Sequence, residues 1–287
     1  MTSSARWFAV VACAVLLVSA GSATTYGYFV DTEQATGSVQ AANSFNGNNG
    51  GGGNPGNGPP GNNAYNDANG NGQYDDGEGT YTADELTEFE DETANLVIPG
   101  DIDEVYDRNG EVTITANSIR SAVDIGSRNA EVELTATGGD IVIDGSSISS
   151  RNGEVTISTS GNVKAVGSTI ESRNSEITIS GENVDISDSD IYSRNEDITV
   201  TASSELTANR ATIESRNGDI SLNSNGDMYL DGASLTSTNG QATADLNVDS
   251  SDTTIHVDGI SVNDRDGILT YTPSNVTEDP DSDAVSG

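Results

Sequence analysis

The chain has 287 residues, of which 33% are hydrophobic and only 5% aromatic, so any core must be built from small aliphatic side chains. Its 46 acidic against 11 basic residues leave a net charge of −35, which argues against nucleic acid and anionic membrane surfaces as partners. The single cysteine, Cys13, rules out an intrachain disulfide, a thiolate metal site and a cysteine nucleophile in the folded part.

Residues 1–6 carry one positive charge, Trp7 to Ala20 is apolar, and Gly21-Ser22-Ala23 supplies small residues. That order is an export signal occupying residues 1–27. The apolar run is short for a membrane span; a retained anchor would extend it through Tyr26–Val30. Cys13 lies inside the run, whereas a lipidated cysteine would come after it. Beyond the signal stand Tyr28-Phe29-Val30-Asp31-Thr32-Glu33 and Gly37-Ser38-Val39-Gln40-Ala41-Ala42. These resemble the start of the camelysin and biofilm-fibre family, whose members are exported through a dedicated signal peptidase and several of which form extracellular fibres. The resemblance stops near residue 42 and implies an export route, not that family's β-sandwich.

Residues 46–63 contain only Asn, Gly and Pro, with nothing to bury, and read as a flexible tether that closes the segment 28–63, whose first part is extended. A merely tolerated insertion fits the same composition. Next, Asp67, Asn69, Asn71, Gln73, Asp75 and Glu78 stand at positions 1, 3, 5, 7, 9 and 12 of a loop with Gly72 at position 6. Calcium needs six to eight oxygens around a sharp bend; the glycine permits the bend, Gln73 offers its backbone carbonyl, and Glu78 can bind through both oxygens. The pattern resembles EF-hand and dockerin-type loops and implies a Ca2+ site of structural kind, because the tether upstream cannot form an entering helix. An ion-free Asn/Asp/Gly turn is the competing reading. Thr82-Ala83-Asp84-Glu85 is a capping box, with Tyr81 and Leu86 as hydrophobic staple. It predicts a short helix through about Glu92. Together with the loop (64–95), this helix is expected to cap the N-terminal end of a rod.

From 96 to 272 the chain repeats. Arg-Asn recurs at Arg108, Arg128, Arg151, Arg173, Arg194 and Arg216, with Thr238 as a degenerate seventh, at spacings of 20, 23, 22, 21, 22 and 22. Each unit opens with period-two alternation, as in Glu111-Val112-Thr113-Ile114-Thr115. An apolar pair comes next (Ile141/Ile143, Val163/Ala165, Val184/Ile186), then one apolar position three residues before the arginine (Ile125, Ile148, Ile170). Prolines at 55, 59, 60, 99, 273 and 280 leave Gly100 to Tyr271 clear, as ladder-bonded strands require. Three short strands per unit predict an all-β fold: a right-handed parallel β-helix of about seven coils of ~22 residues, with a short N-terminal capping helix. It resembles pectate-lyase-like and bactofilin-like solenoids. The Leu/Asn signature of leucine-rich repeats is missing, and a β-sandwich would not hold one near-constant period. Stacking places Asn109, Asn129, Asn152, Asn174, Asn195, Asn217 and Asn239 in a ladder. It also sets the arginines beside an acidic column, Glu111, Glu131, Glu154, Glu176, Asp197 and Asp219, expected to offset their charge. Alternatively, the arginine stripe binds anionic surface polysaccharide.

The coils are too uniform to hold an active-site loop, and Tyr192 and Tyr229, the aromatics between Arg108 and Thr238, fall in different columns. His256 reads as a solvated strand residue, and no nucleophile stands beside a base, so the expectation is no enzyme. Residues 273–287 form an acidic tail that carries the sequon Asn275-Val276-Thr277. Three readings of the charge compete: acidic disorder, opposed by the periodicity; calcium ligation, which uses few carboxylates; and adaptation to high salt, where screening shortens the Debye length to about 3 Å. Near-absence of Lys (only Lys164) resembles the proteins of halophiles. The expected protein is a secreted or cell-surface structural or adhesive rod on a tether. Its expected partners are surface polysaccharide, other surface proteins or itself, and it meets a membrane only through an uncleaved N-terminus. A self-assembling filament subunit and a polysaccharide-active β-helix enzyme are the alternatives.

Overall fold

A computed structural model describes residues 59–246, 253–263 and 270–272, all within the unit Gly50–Gly287. The export signal, the camelysin-like stretch, most of the tether, and the tail with its sequon lie outside the described residues.

The repeat folds as a parallel β-solenoid of three faces. The first face stacks the alternating strands, among them Val132–Ala136, Val155–Thr159, Ile177–Gly181, Ile198–Ala202 and Ile220–Ser224. The second stacks two-residue strands such as Ile141–Val142, Val163–Lys164 and Val184–Asp185. The third is an eight-stranded sheet running from Glu104–Asp107 to Ser261–Asn263. Register is strict: Val155 lies opposite Val132 on one side and Ile177 on the other, and Ile170 lies between Ile148 and Ile191. Because side chains alternate along a strand, this register brings each inward-facing apolar position into line with its equivalent in the next coil. Val132, Leu134, Ile141, Ile143 and Ile148 are all fully buried, and the same five positions are buried in the next coil as Val155, Ile157, Val163, Ala165 and Ile170. Each Ile or Val so buried contributes roughly 1.5–3 kcal/mol, which is how a chain so poor in aromatics closes a core.

At the N-terminal end the sequence expectation needs correction. The helix is one turn, Ala83–Leu86, and the residues expected to continue it form the strand Glu88–Ile98. The capping box is made: Thr82 Oγ1 accepts from Glu85 N–H, and Glu85 Oε2 accepts from Thr82 N–H at 2.8 Å. The helix stops because Phe89 and its neighbours find parallel partners in the next coil (Phe89 opposite Ile114), and a ladder plus burial outweighs a short helix's own propensity. Residues between Asp91 and Asn95 bulge out of that ladder. Ala64–Asn66 pairs antiparallel with Leu96 and Val97 and also with Thr80–Tyr81, so the first coil's edge is covered and the loop 67–79 hangs from a hairpin. Leu86 is fully buried, and Tyr81 meets Phe89 edge-on at 4.7 Å.

Candidate functional site: the N-terminal loop and the columns of the repeat

The antiparallel pair brings the ends of the loop together, and glycines at left-handed φ (Gly70 +71°, Gly72 +74°, Gly77 +103°) bend it. Asp67, only 4% exposed, accepts from Asn71 N–H (3.0 Å) and Gly72 N–H (2.7 Å). The amides of Asn69 and Asn71 both donate to the same oxygen of Asp75, at 2.6 and 2.7 Å. Glu78 accepts from Ala68 N–H and Asp75 N–H, both at 3.0 Å, and so ties the end of the loop to its start. Gln73 is exposed and donates its backbone N–H to Asn71 Oδ1. The loop therefore gathers Asp67, Asn69, Asn71, Asp75 and Glu78 into one connected network, with positions 3, 5 and 9 converging on one point.

The donor set is oxygen-rich and hard, which suits calcium, and a half-turn of each Asn amide exchanges its N–H for its oxygen. Against this, Glu78 and Asp67 each spend both oxygens on backbone N–H groups. Among the described residues, no three His, Cys, Asp or Glu side chains cluster as a metal-binding group. The fit thus rests on Asp67, Asn69, Asn71 and Asp75, with Glu78 closing the loop. Below the network, burial and then the charges of Asp67 and Glu78 raise the pKa of the Tyr65 phenol, whose hydroxyl donates to the Gly72 carbonyl at 3.2 Å.

Along the repeat, the asparagines form a continuous ladder: each amide donates to the Oδ1 of the coil before, from Asn129→Asn109 (3.1 Å) to Asn239→Asn217 (2.8 Å). The neighbouring column went unread in the sequence. The residue before each Arg-Asn is a buried serine: Ser127, Ser150, Ser172, Ser193 and Ser215, with Ser237 before Thr238. Its hydroxyl donates to a carbonyl in the turn of the preceding coil, and in most coils it accepts the N–H three residues on. Ser150, for example, donates to Ala130 O (2.7 Å) and accepts from Gly153 N–H (2.9 Å). The signal was in plain sight as Ser-Arg-Asn, but serine in so polar a chain carries no hydropathic contrast. In the first coil Asp107 takes this place, and the N–H groups of Gly110 and Asn109 hold its carboxyl below the usual range.

The expected pairing of the arginine and acidic columns does not form. Ion pairs among the described residues are Lys164–Asp144 (3.3 Å), Arg173–Glu171 (2.8 Å) and Arg210–Asp188 (2.6 Å). The arginines leave the corner on the side of the third face, where Arg128, Arg151 and Arg173 line a shallow groove with Ser149, Glu171 and Tyr106. The acids leave on the side of the first face. There partial burial, and then the charges of Glu131 and Glu176 in the flanking coils, push the Glu154 carboxyl above its usual range. His256 is also more constrained than expected: it is half-buried and stacks on Tyr229 of the preceding coil, ring centroids 4.5 Å apart.

No family model, curated protein or solved structure matches the chain. What the fold defines is its class, a parallel β-solenoid with ladder-forming turns.

Proposed function

We propose that the protein is an exported cell-surface element, structural or adhesive, in which a stiff β-solenoid stands on a flexible tether and a Ca2+ ion steadies its N-terminal cap. The observation that carries this reading is the uniformity of the coils: turns short enough to be bridged by one Asn ladder display a repeating surface with no inserted catalytic loop. The export signal and tether in the sequence support the location, and the convergence of Asn69 and Asn71 on Asp75 supports the ion. When bound, calcium would draw on oxygens of Asp67, Asn69, Asn71 and Asp75 and offset the carboxylates' mutual repulsion. We read the solenoid as non-catalytic and the acidic surface as suited to concentrated salt. Surface polysaccharide or other surface proteins are the partners this reading expects.

Cell fractionation decides the location: recovery in the envelope or medium supports the proposal, and recovery in the cytosol ends it. Calorimetry with CaCl2 decides the ion, since absence of heat together with a melting temperature indifferent to chelator rejects the site. A filament subunit is the second reading, favoured by coil-on-coil pairing that is extendable in principle and by the fibre-family resemblance. Electron microscopy showing monomers at every concentration would remove it.

A further inference from the structure

Of the chain's 11 basic residues, six stand in one column, Arg108 to Arg216, on an otherwise strongly acidic protein. One coil's pitch is about 4.8 Å, so the column runs roughly 24 Å. Like charges at that spacing repel, and internal pairing relieves only Arg173, through Glu171. Arg108, Arg128, Arg151, Arg194 and Arg216 make no ion pair among the described residues. Arg108, Arg151, Arg173, Arg194 and Arg216 are exposed. Beside them on the third face lies the groove, and Tyr106 on its wall, 43% exposed, is the one large hydrophobic side chain left open among the described residues.

We propose that this column and groove bind an extended anionic polysaccharide, one carrying a carboxylate on each sugar ring, laid along the solenoid axis. Three features favour that ligand. Arginine forks pair with planar carboxylates through two hydrogen bonds. Tyr106 offers a flat apolar face for a sugar ring, and Ser149 a hydroxyl beside it. The arginines recur at about 4.8 Å along the axis, which calls for a ligand whose negative charge also recurs along an extended chain. The surrounding acidic surface does not forbid approach in concentrated salt, because its field dies within a few ångströms while contact pairs survive. This inference rests on the adhesive reading above and names what the rod adheres to.

The test uses the full exported chain in concentrated salt, with polygalacturonate as probe, neutral dextran and single-stranded DNA as comparators, and affinity read by calorimetry. Binding to polygalacturonate and not dextran is expected, with a loss of about tenfold or more in R128Q/R151Q/R173Q. Lysine at the three positions should restore part of the affinity, since charge returns without the fork. K164Q/R210Q, which removes two basic residues outside the column, should bind as the native chain does. A melting temperature that stays well above the temperature of the titration in every variant shows that folding is not what is being read. Equal affinity in the glutamine variant, no binding by the native chain, or DNA binding as tightly as polygalacturonate would each overturn the proposal. None of these outcomes touches the surface location, which fractionation decides separately.

Discussion

The two turns that flank the third face solve the same problem by different means. The turn after it, Ser-Arg-Asn, is fixed by side chains: a buried serine ties down its turn and the coil before, and an exposed asparagine bonds to its counterparts above and below. The turn before it is fixed by the backbone, through a left-handed residue ahead of each of the last six strands of that face, Gly145, Gly167, Asp188, Arg210, Gly232 and Gly259. Side-chain turns demand one residue type in register, and the serine is unbroken from Ser127 to Ser237. Backbone turns demand only a conformation, so glycine gives way twice, where Arg210 and Asp188 recover part of the cost by pairing through two bonds of 2.7 and 2.6 Å.

Substitutions can break this contrast. The largest effect is expected for Gly218→Ala in the side-chain turn. A Cβ there would sit 2.3 Å from the Glu196 backbone carbon, so chain denaturation should show a loss approaching about 3 kcal/mol, in the overpacking range. Ser215→Ala comes next, leaving the Gly218 N–H and Glu196 carbonyl without a partner at a buried site, for a loss of about 2 kcal/mol. In the backbone turn, Gly167→Ala meets no atom within 4 Å yet must adopt φ +65°, which isolates the conformational cost at about 1 kcal/mol. Asn174→Ala, which removes two exposed ladder bonds, should cost about the same or less. A serine variant milder than the asparagine variant would reverse the ranking of buried over exposed ladders.

The smallest effect concerns charge and is read by pH. Glu154 has its folded pKa raised, so the folded state binds its proton more tightly than the unfolded chain. The penalty is therefore present at neutral pH and is relieved as the pH falls through the raised value toward the unfolded one. Glu154→Gln should raise the melting temperature at neutral pH, and the difference from the native chain should vanish on mild acidification. A difference independent of pH would mean that crowding with Glu131 and Glu176 is not its source.

Much of this molecule is legible because a solenoid translates sequence period directly into space. Val155, Ile157, Val163 and Ile170 announce their burial by spacing alone, and the Asn column by recurrence. Phe89 reads as helical because a capping box signals where a helix starts and says nothing of the strand partner, Ile114, that stops it. The serine column escapes a sequence reading because its value lies in carbonyls one coil away, such as Ala130 for Ser150. The loop's residues are recognisable as a group, but the sequence does not reveal that Glu78 turns to backbone N–H groups.

By itself, then, the sequence determined the repeat, the three strands per coil, the inward columns and the oxygen-rich loop, since all derive from residue type and period. Only the tertiary structure decided which columns meet. Arg128 and Glu131 lie three residues apart, yet the corner between them sends one to the third face and the other to the first. Charge that looks balanced along the chain is thereby separated in space, because side-chain direction is set by the strand each residue borders and not by its distance in sequence.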